Sequence, residues 1–182
     1  MEYKIIKSWR KTISMEIKHG ELIVRAPYYA GRREIESFVT KHRRWIERHM
    51  TDARAAEEKR QSFPKFTEKE IRALTEDAKR VIPPRVEYYA GLIGVKYGRI
   101  TIRHQKTRWG SCSAKGNLNF NCLLMLAPPE VLDSVVVHEL CHRKQMNHSK
   151  RFYGEVLRVF PEYRKWHKWL KVNGPELLAR LG

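Results

Sequence analysis

The chain has 182 residues, 42% of them apolar and 31% charged, ordinary values for a globular protein long enough to bury a core. No stretch approaches the roughly 18 continuous apolar residues of a membrane span, which argues against a membrane protein. The 37 Lys and Arg against 20 Asp and Glu give a formal charge of +17, an excess that attracts nucleic acid, nucleotides or acidic protein surfaces, unless it is no more than a solvated basic exterior.

The opening MEYKIIKSWRK has no apolar run behind its charges, so a cytoplasmic location is expected. Cys112, Cys122 and Cys141 are odd in number and form no CxxC pair, and are read as reduced thiols. Residues 10–25 alternate apolar and polar at Ile13, Met15, Ile17, Leu22 and Val24 around Lys18-His19-Gly20-Glu21, a hairpin pattern. From Gly31 the period lengthens: Ile35, Phe38, Val39, Trp45, Ile46 and Met50 predict one amphipathic helix, with Arg32 to Arg48 supplying a basic outer face. His42 and His49 are read as packing or surface residues, and residues 51–62 as either a prolongation of that helix or a polar linker.

Thr67 with Glu70 forms a capping box ahead of Ile71, Leu74, Ala78 and Val81, and Pro83-Pro84 is expected to stop or kink the helix. Strands are predicted at 99–103, through 108–113, and at 117–123 after the Ala114-Lys115-Gly116 turn. Pro128-Pro129 opens a helix. Trp9, Trp45, Trp109, Trp166 and Trp169 are expected mostly in the core, with base stacking as the alternative.

That last helix holds the densest chemistry. In VVVHELCHRKQMNHSKRF, His138 and His142 are four apart and project from one face, where they can meet a single ion. Glu139 lies one position on, able to reach a water without being a ligand. A catalytic zinc takes three protein ligands and keeps a fourth position open. His148 is the third candidate, and Glu155 the alternative, since zinc also accepts carboxylate oxygen. On a straight helix His148 would stand about 9 Å beyond His142 and out of phase. The chain must therefore turn, and Asn147 followed by Ser149 as a new N-cap is where a turn is expected. The ordinary alternative is a set of satisfied core histidines beside an exposed glutamate. The metal reading predicts hydrolysis, with one Zn2+ lowering the pKa of a water and Glu139 moving its proton. Arg108, Tyr153 and Tyr163 are candidates for stabilising the oxyanion.

TRWGSCSAKGNLNFN, LAPPEVLDSVVVHELCH, MNHSKRFY and FPEYRKWHKWLK resemble, in this order and spacing, the YgjP-like metallopeptidases, which are similar to SprT-like zinc proteases in their core. The resemblance implies an α+β, zincin-like fold: a small twisted, antiparallel or mixed sheet packed on the active-site helix. An N-terminal hairpin and long basic helix, residues 1–64, would precede a catalytic domain at 65–182. It puts the metal ligands on His138, His142 and His148 and the catalytic glutamate on Glu139. The strand Asn117 to Leu123 would act as an edge pairing with an extended peptide, making Asn119, Asn121, Arg108 and Tyr153 substrate-binding candidates. Metzincins share the histidine spacing but carry glycine where this chain has Gln145, so that assignment is disfavoured. The resemblance leaves open a second substrate class, since members have been labelled both metallopeptidases and nucleotide (UTP) pyrophosphohydrolases. A polypeptide or a nucleoside triphosphate is therefore the expected substrate. A protease held on DNA by the basic helix is a further reading. A nucleic-acid module with structural zinc is disfavoured, because such sites are closed by four ligands and rich in Cys.

Overall fold

A computed structural model describes residues 2–18 and 20–181, Arg60 by its backbone alone; the turn residue His19 lies outside the described residues. The chain forms two compact units, residues 1–63 and 64–182.

In the first unit, β2 (Ser14–Lys18) and β3 (Glu21–Pro27) pair antiparallel as the alternation predicts, with Met15 opposite Val24 and Ile17 opposite Leu22. A third strand, β1 (Lys4–Ser8), runs parallel to β3 on its other side, in the order β1-β3-β2. The expected single helix is two, α1 (Arg32–Lys41) and α2 (Arg43–Ser62), divided at His42. His42 leaves helical geometry at φ −102° and ψ 14°, and its Nδ1 bonds back to the Phe38 carbonyl at 2.8 Å. Residues 51–62 prolong α2. Leu22, Val24, Ala26, Ile35, Val39 and Ile46 make this unit's core. Trp9, 95% exposed, and the partly exposed Trp45 stand outside it, against the core role expected of them.

The second unit begins with α3 (Glu68–Ile93). Its capping box is formed: Thr67 N donates to Glu70 Oε2 at 2.8 Å, and Glu70 N donates to Thr67 Oγ1 at 3.3 Å. The helix does not stop at Pro83-Pro84 but runs through both to Gly94, a left-handed cap at φ 75°. Two prolines in series remove the donors aimed at the Lys79 and Arg80 carbonyls and crowd those carbonyls with their rings; both residues are exposed. Ala78, Ile82, Val86 and Ile93 hold the continuous helix in the core, and that burial outweighs the lost bonds.

Three short strands follow, β4 (Ile100–Arg103), β5 (Gly110–Cys112) and β6 (Leu118–Asn121). β6 is the middle strand, parallel to β4 and antiparallel to β5. The expectation that 117–123 is an edge open to a peptide is therefore corrected. Its alternating Leu118 and Phe120 face the core, and its backbone is bonded on both sides. β5 and β4 are the edges. After a 3-10 turn at Cys122–Leu126, α4 (Pro129–Cys141), α5 (Lys150–Val159) and α6 (Tyr163–Ala179) complete an α+β unit. α4 is its central helix. Val131, Leu132, Val135, Val136, Val137 and Leu140 are buried around its circumference, and α4 packs with α3, β5, α5 and α6. Only a helix clad on all sides can afford such an unbroken aliphatic run.

Candidate metal centre

His138 rides on the last turn of α4, and α4 ends at Cys141, so His142 is its C-cap. The chain therefore leaves the helix five residues before Asn147, the expected breaking point. Consecutive turn bonds from Arg143, Lys144 and Gln145 back to Leu140 and Cys141 carry it round. Ser149 does start the next helix, its hydroxyl accepting from Phe152 N at 3.3 Å. The reversal returns the imidazole of His148 to the other two.

The three ring centroids stand 4.8 to 5.0 Å apart, and Phe152, fully buried, lies against all three rings. Nε2 of His138 is 3.3 Å from Nε2 of His142 and 3.1 Å from Nε2 of His148. Nitrogens bonded tetrahedrally to zinc at about 2.1 Å are about 3.4 Å apart, so the spacing suits that ion. Proton placement suits it too. His142 Nδ1 faces the Gln145 carbonyl at 3.1 Å, which only accepts, so the proton sits on Nδ1 and Nε2 turns a lone pair inward. At the position where metzincins have glycine, Gln145 thus supplies a backbone acceptor. His138 Nδ1 is 2.8 Å from Tyr163 Oη, and that hydroxyl is 3.3 Å from His167 Nδ1. Burial and the neighbouring imidazoles of His142, His148 and His167 push His138 down to about 3, away from the protonated form. His148 is the exposed member of the trio, and the group is open to solvent on that side.

Glu139 is buried, 6% exposed, and its carboxyl lies against the backbone of β5. A Cβ built on Gly110 would come within 2.7 Å of Glu139 Oε1 and 2.8 Å of its Cγ, so only glycine leaves room for this side chain. Among the described residues no group hydrogen-bonds the carboxyl, and burial pushes it up to about 8, with the Arg108 guanidinium pulling the other way. It shares a recess of about 230 Å³ with Arg108, Gly110, His138, Tyr163 and His167.

The remaining candidates separate. Arg108 is exposed at the mouth of this recess. Tyr153 stands 6.2 Å from His148, ring to ring. Tyr163, a candidate for the oxyanion, instead holds the far nitrogen of His138. Asn121 is fully buried, its amide donating to the Gln105 and Arg108 carbonyls at 2.7 and 2.9 Å while its oxygen accepts from Leu123 N. Those bonds occupy it in fixing the loop before β5, so it does not face a substrate. Asn119 is partly buried and donates to Ser111 Oγ across the sheet at 3.0 Å. Glu155, the alternative third ligand, accepts from Lys144 and Arg158, both at 2.6 Å, and is not among the clustered donors.

That ion cluster ties the segment between His142 and His148 to α5. Arg158 first, then Lys144, holds the Glu155 carboxyl down to about 2. A folded-state value below the unfolded one gives stability that is complete above about pH 4.5 and lost as pH falls toward 2. Glu155→Gln is therefore expected to cost about 1 kcal/mol at pH 7, a figure reduced because both cations are substantially exposed. The variant should flatten the acid limb of stability between pH 4.5 and 2, measured by urea unfolding; an acid limb identical to wild type would refute the role.

His167, Gly110 and Arg143 escaped the sequence reading. Arg143 donates to the Lys96 and Ala114 carbonyls at 3.1 Å, and its guanidinium packs on Gly116, where φ is 82°. It pins the chain after His142 to the β5–β6 turn. His167, four residues after Tyr163, carries a helical-spacing signal that acquires meaning only once α6 is docked on α4.

A family model described as YgjP-like, metallopeptidase domain, matches residues 57–173. No curated protein matches the chain. Among solved structures, the metallopeptidase zymogen abylysin of Pyrococcus abyssi is similar at 23% identity and a TM-score of 0.48, and jannalysin of Methanocaldococcus jannaschii at 23% and 0.44. Each similarity covers 51% of this chain and 94% of the other.

Proposed function

Since this chain belongs to the YgjP-like family, with its metallopeptidase domain, we propose that it is a zinc peptidase in which His138, His142 and His148 hold one ion and Glu139 is the general base. The observation that carries this reading is the convergence of three Nε2 atoms, 3.1 and 3.3 Å from His138 to the other two, beside a buried carboxyl with no hydrogen-bond partner among the described residues. Three inward lone pairs repel one another unless a cation lies between them.

When bound, zinc polarises a carbonyl oxygen and brings the pKa of a water toward neutrality. The other steps belong to the chain. Glu139 Oε takes a proton from the attacking water and delivers it to the departing amide nitrogen. His138 Nδ1–H donates to Tyr163 Oη, whose own hydrogen goes to His167 Nδ1, and this series fixes the tautomer and tilt of His138. Arg108, at the mouth of the Glu139 recess, is the donor available to a developing oxyanion. An extended substrate adds to the free edge of β5, where Gly110 brings the backbone close to Glu139. This assigns to β5 the pairing role expected of β6.

The test is metal and substrate together. Protein loaded with zinc should bind about one equivalent and cleave an unfolded polypeptide such as reduced casein, and a chelator should stop the cleavage. Failure to bind zinc, or no cleavage by the loaded protein, refutes the reading.

A further inference from the structure

Next to Tyr163 the structure has a second recess of about 420 Å³, which Glu139 does not line. Tyr163 lines both recesses. Tyr153, also on its lining, is 6.3 Å from Tyr163 and 6.2 Å from His148, ring to ring. An extended chain advances about 3.3 Å per residue. Tyr153 on the recess lining therefore lies about two residues of an extended chain from His148.

Its lining is cationic. Arg164, Lys168 and Lys171 all face it, at positions i, i+4 and i+7 of α6, one stripe of the helix. Among the described residues none of the three has a carboxylate partner, whereas nearby cations do: Lys144 and Arg158 pair with Glu155, and Lys165 with Glu162. The stripe also opposes helix stability. Like charges four apart repel, and the acidic N-cap of α6, Glu162, pairs with Lys165 and not with the stripe. Local rules broken without an internal compensation mark a functional surface. Leu157 and the Tyr153 ring give the recess an apolar wall beside the charges, suited to the methylenes and carboxylate of a glutamate side chain.

We propose that this recess is a subsite for an acidic segment of a polypeptide, with Arg164, Lys168 and Lys171 as its carboxylate-binding groups. The subsite deepens the peptidase reading and rests on it for the identity of the bound chain as substrate.

Binding is measured in Glu139→Gln protein loaded with zinc, so that catalysis does not enter. The probes are two fluorescent octapeptides that differ only in three Glu or three Gln at adjacent positions. The Glu peptide should bind about tenfold tighter at 50 mM salt, with the advantage shrinking at 0.5 M as screening shortens the reach of the charges. Lys168→Glu with Lys171→Glu should remove the preference. Lys79→Glu with Arg80→Glu on α3, an equal change in net charge, should retain it. Equal binding of the two peptides, or equal loss in both double variants, overturns the proposal, and so does binding of UTP with neither peptide bound. Cleavage by wild-type protein is scored separately. No cleavage with the acidic preference intact refutes the peptidase reading and leaves the subsite standing, while cleavage with no preference does the reverse.

Discussion

Glu139→Gln should retain zinc and lose hydrolysis, with kcat lower by about a thousandfold, equivalent to about 4 kcal/mol of transition-state stabilisation. The amide has the shape of the carboxyl and fits the same space against Gly110, so the fold and the three histidines are undisturbed. What it lacks is an oxygen that takes a proton. Because no hydrogen bond among the described residues engages the carboxyl, the substitution breaks no structural network, and the loss should appear in kcat with thermal stability close to wild type. Metal content, unfolding and peptide hydrolysis measured on one preparation decide it. Turnover within tenfold of wild type, with zinc bound, would exclude Glu139 as the base.

Gly110→Ala should lower kcat/KM by about a hundredfold while zinc affinity stays the same. The added methyl would stand 2.7 Å from Glu139 Oε1, 2.8 Å from Cγ and 3.0 Å from Cδ, too close along the whole end of the side chain for a small rotation to relieve. The carboxyl must therefore shift, and a displacement near 1 Å at a catalytic group costs on the order of a hundredfold. The three nearest atoms to this Cβ all belong to Glu139, which separates the effect from loss of metal. Glu139→Asp, one methylene shorter, leaves room for the methyl, so the double variant should lose less than the product of the two single losses. Multiplicative losses, or a fall in zinc affinity, would show that Gly110 acts otherwise.

These expectations rest on groups that differ in how far the sequence alone revealed them. His138, His142 and Glu139 were legible because spacings of one and four are properties of any α-helix. The capping box at Thr67 and the cap at Ser149 were legible for a similar reason: both bonds close within three residues. The prolines do not stop α3, since their local penalty is overruled by the burial of Ala78, Ile82 and Val86. The strand at 117–123 misled. Alternation shows which side chains face the core but not whether a strand lies in the middle of a sheet or at its edge, because pairing partners are remote in sequence. Asn119 and Asn121 were assigned to substrate on that mistaken edge.

The sequence by itself determined the chemistry on offer: a helix presenting two imidazoles and a carboxyl, a third imidazole beyond a break, and an excess of cations. Only the tertiary structure decided how those groups are used. It ended α4 at Cys141, seated His148 against Phe152, set Gly110 under Glu139, and docked α6 so that Tyr163 meets His138 and its cations line a recess. The physical reason is range. Helical period and capping act over three or four residues and are written locally, whereas the convergence of side chains from four elements follows from burying α4 on every side, a many-body packing outcome that no short stretch encodes.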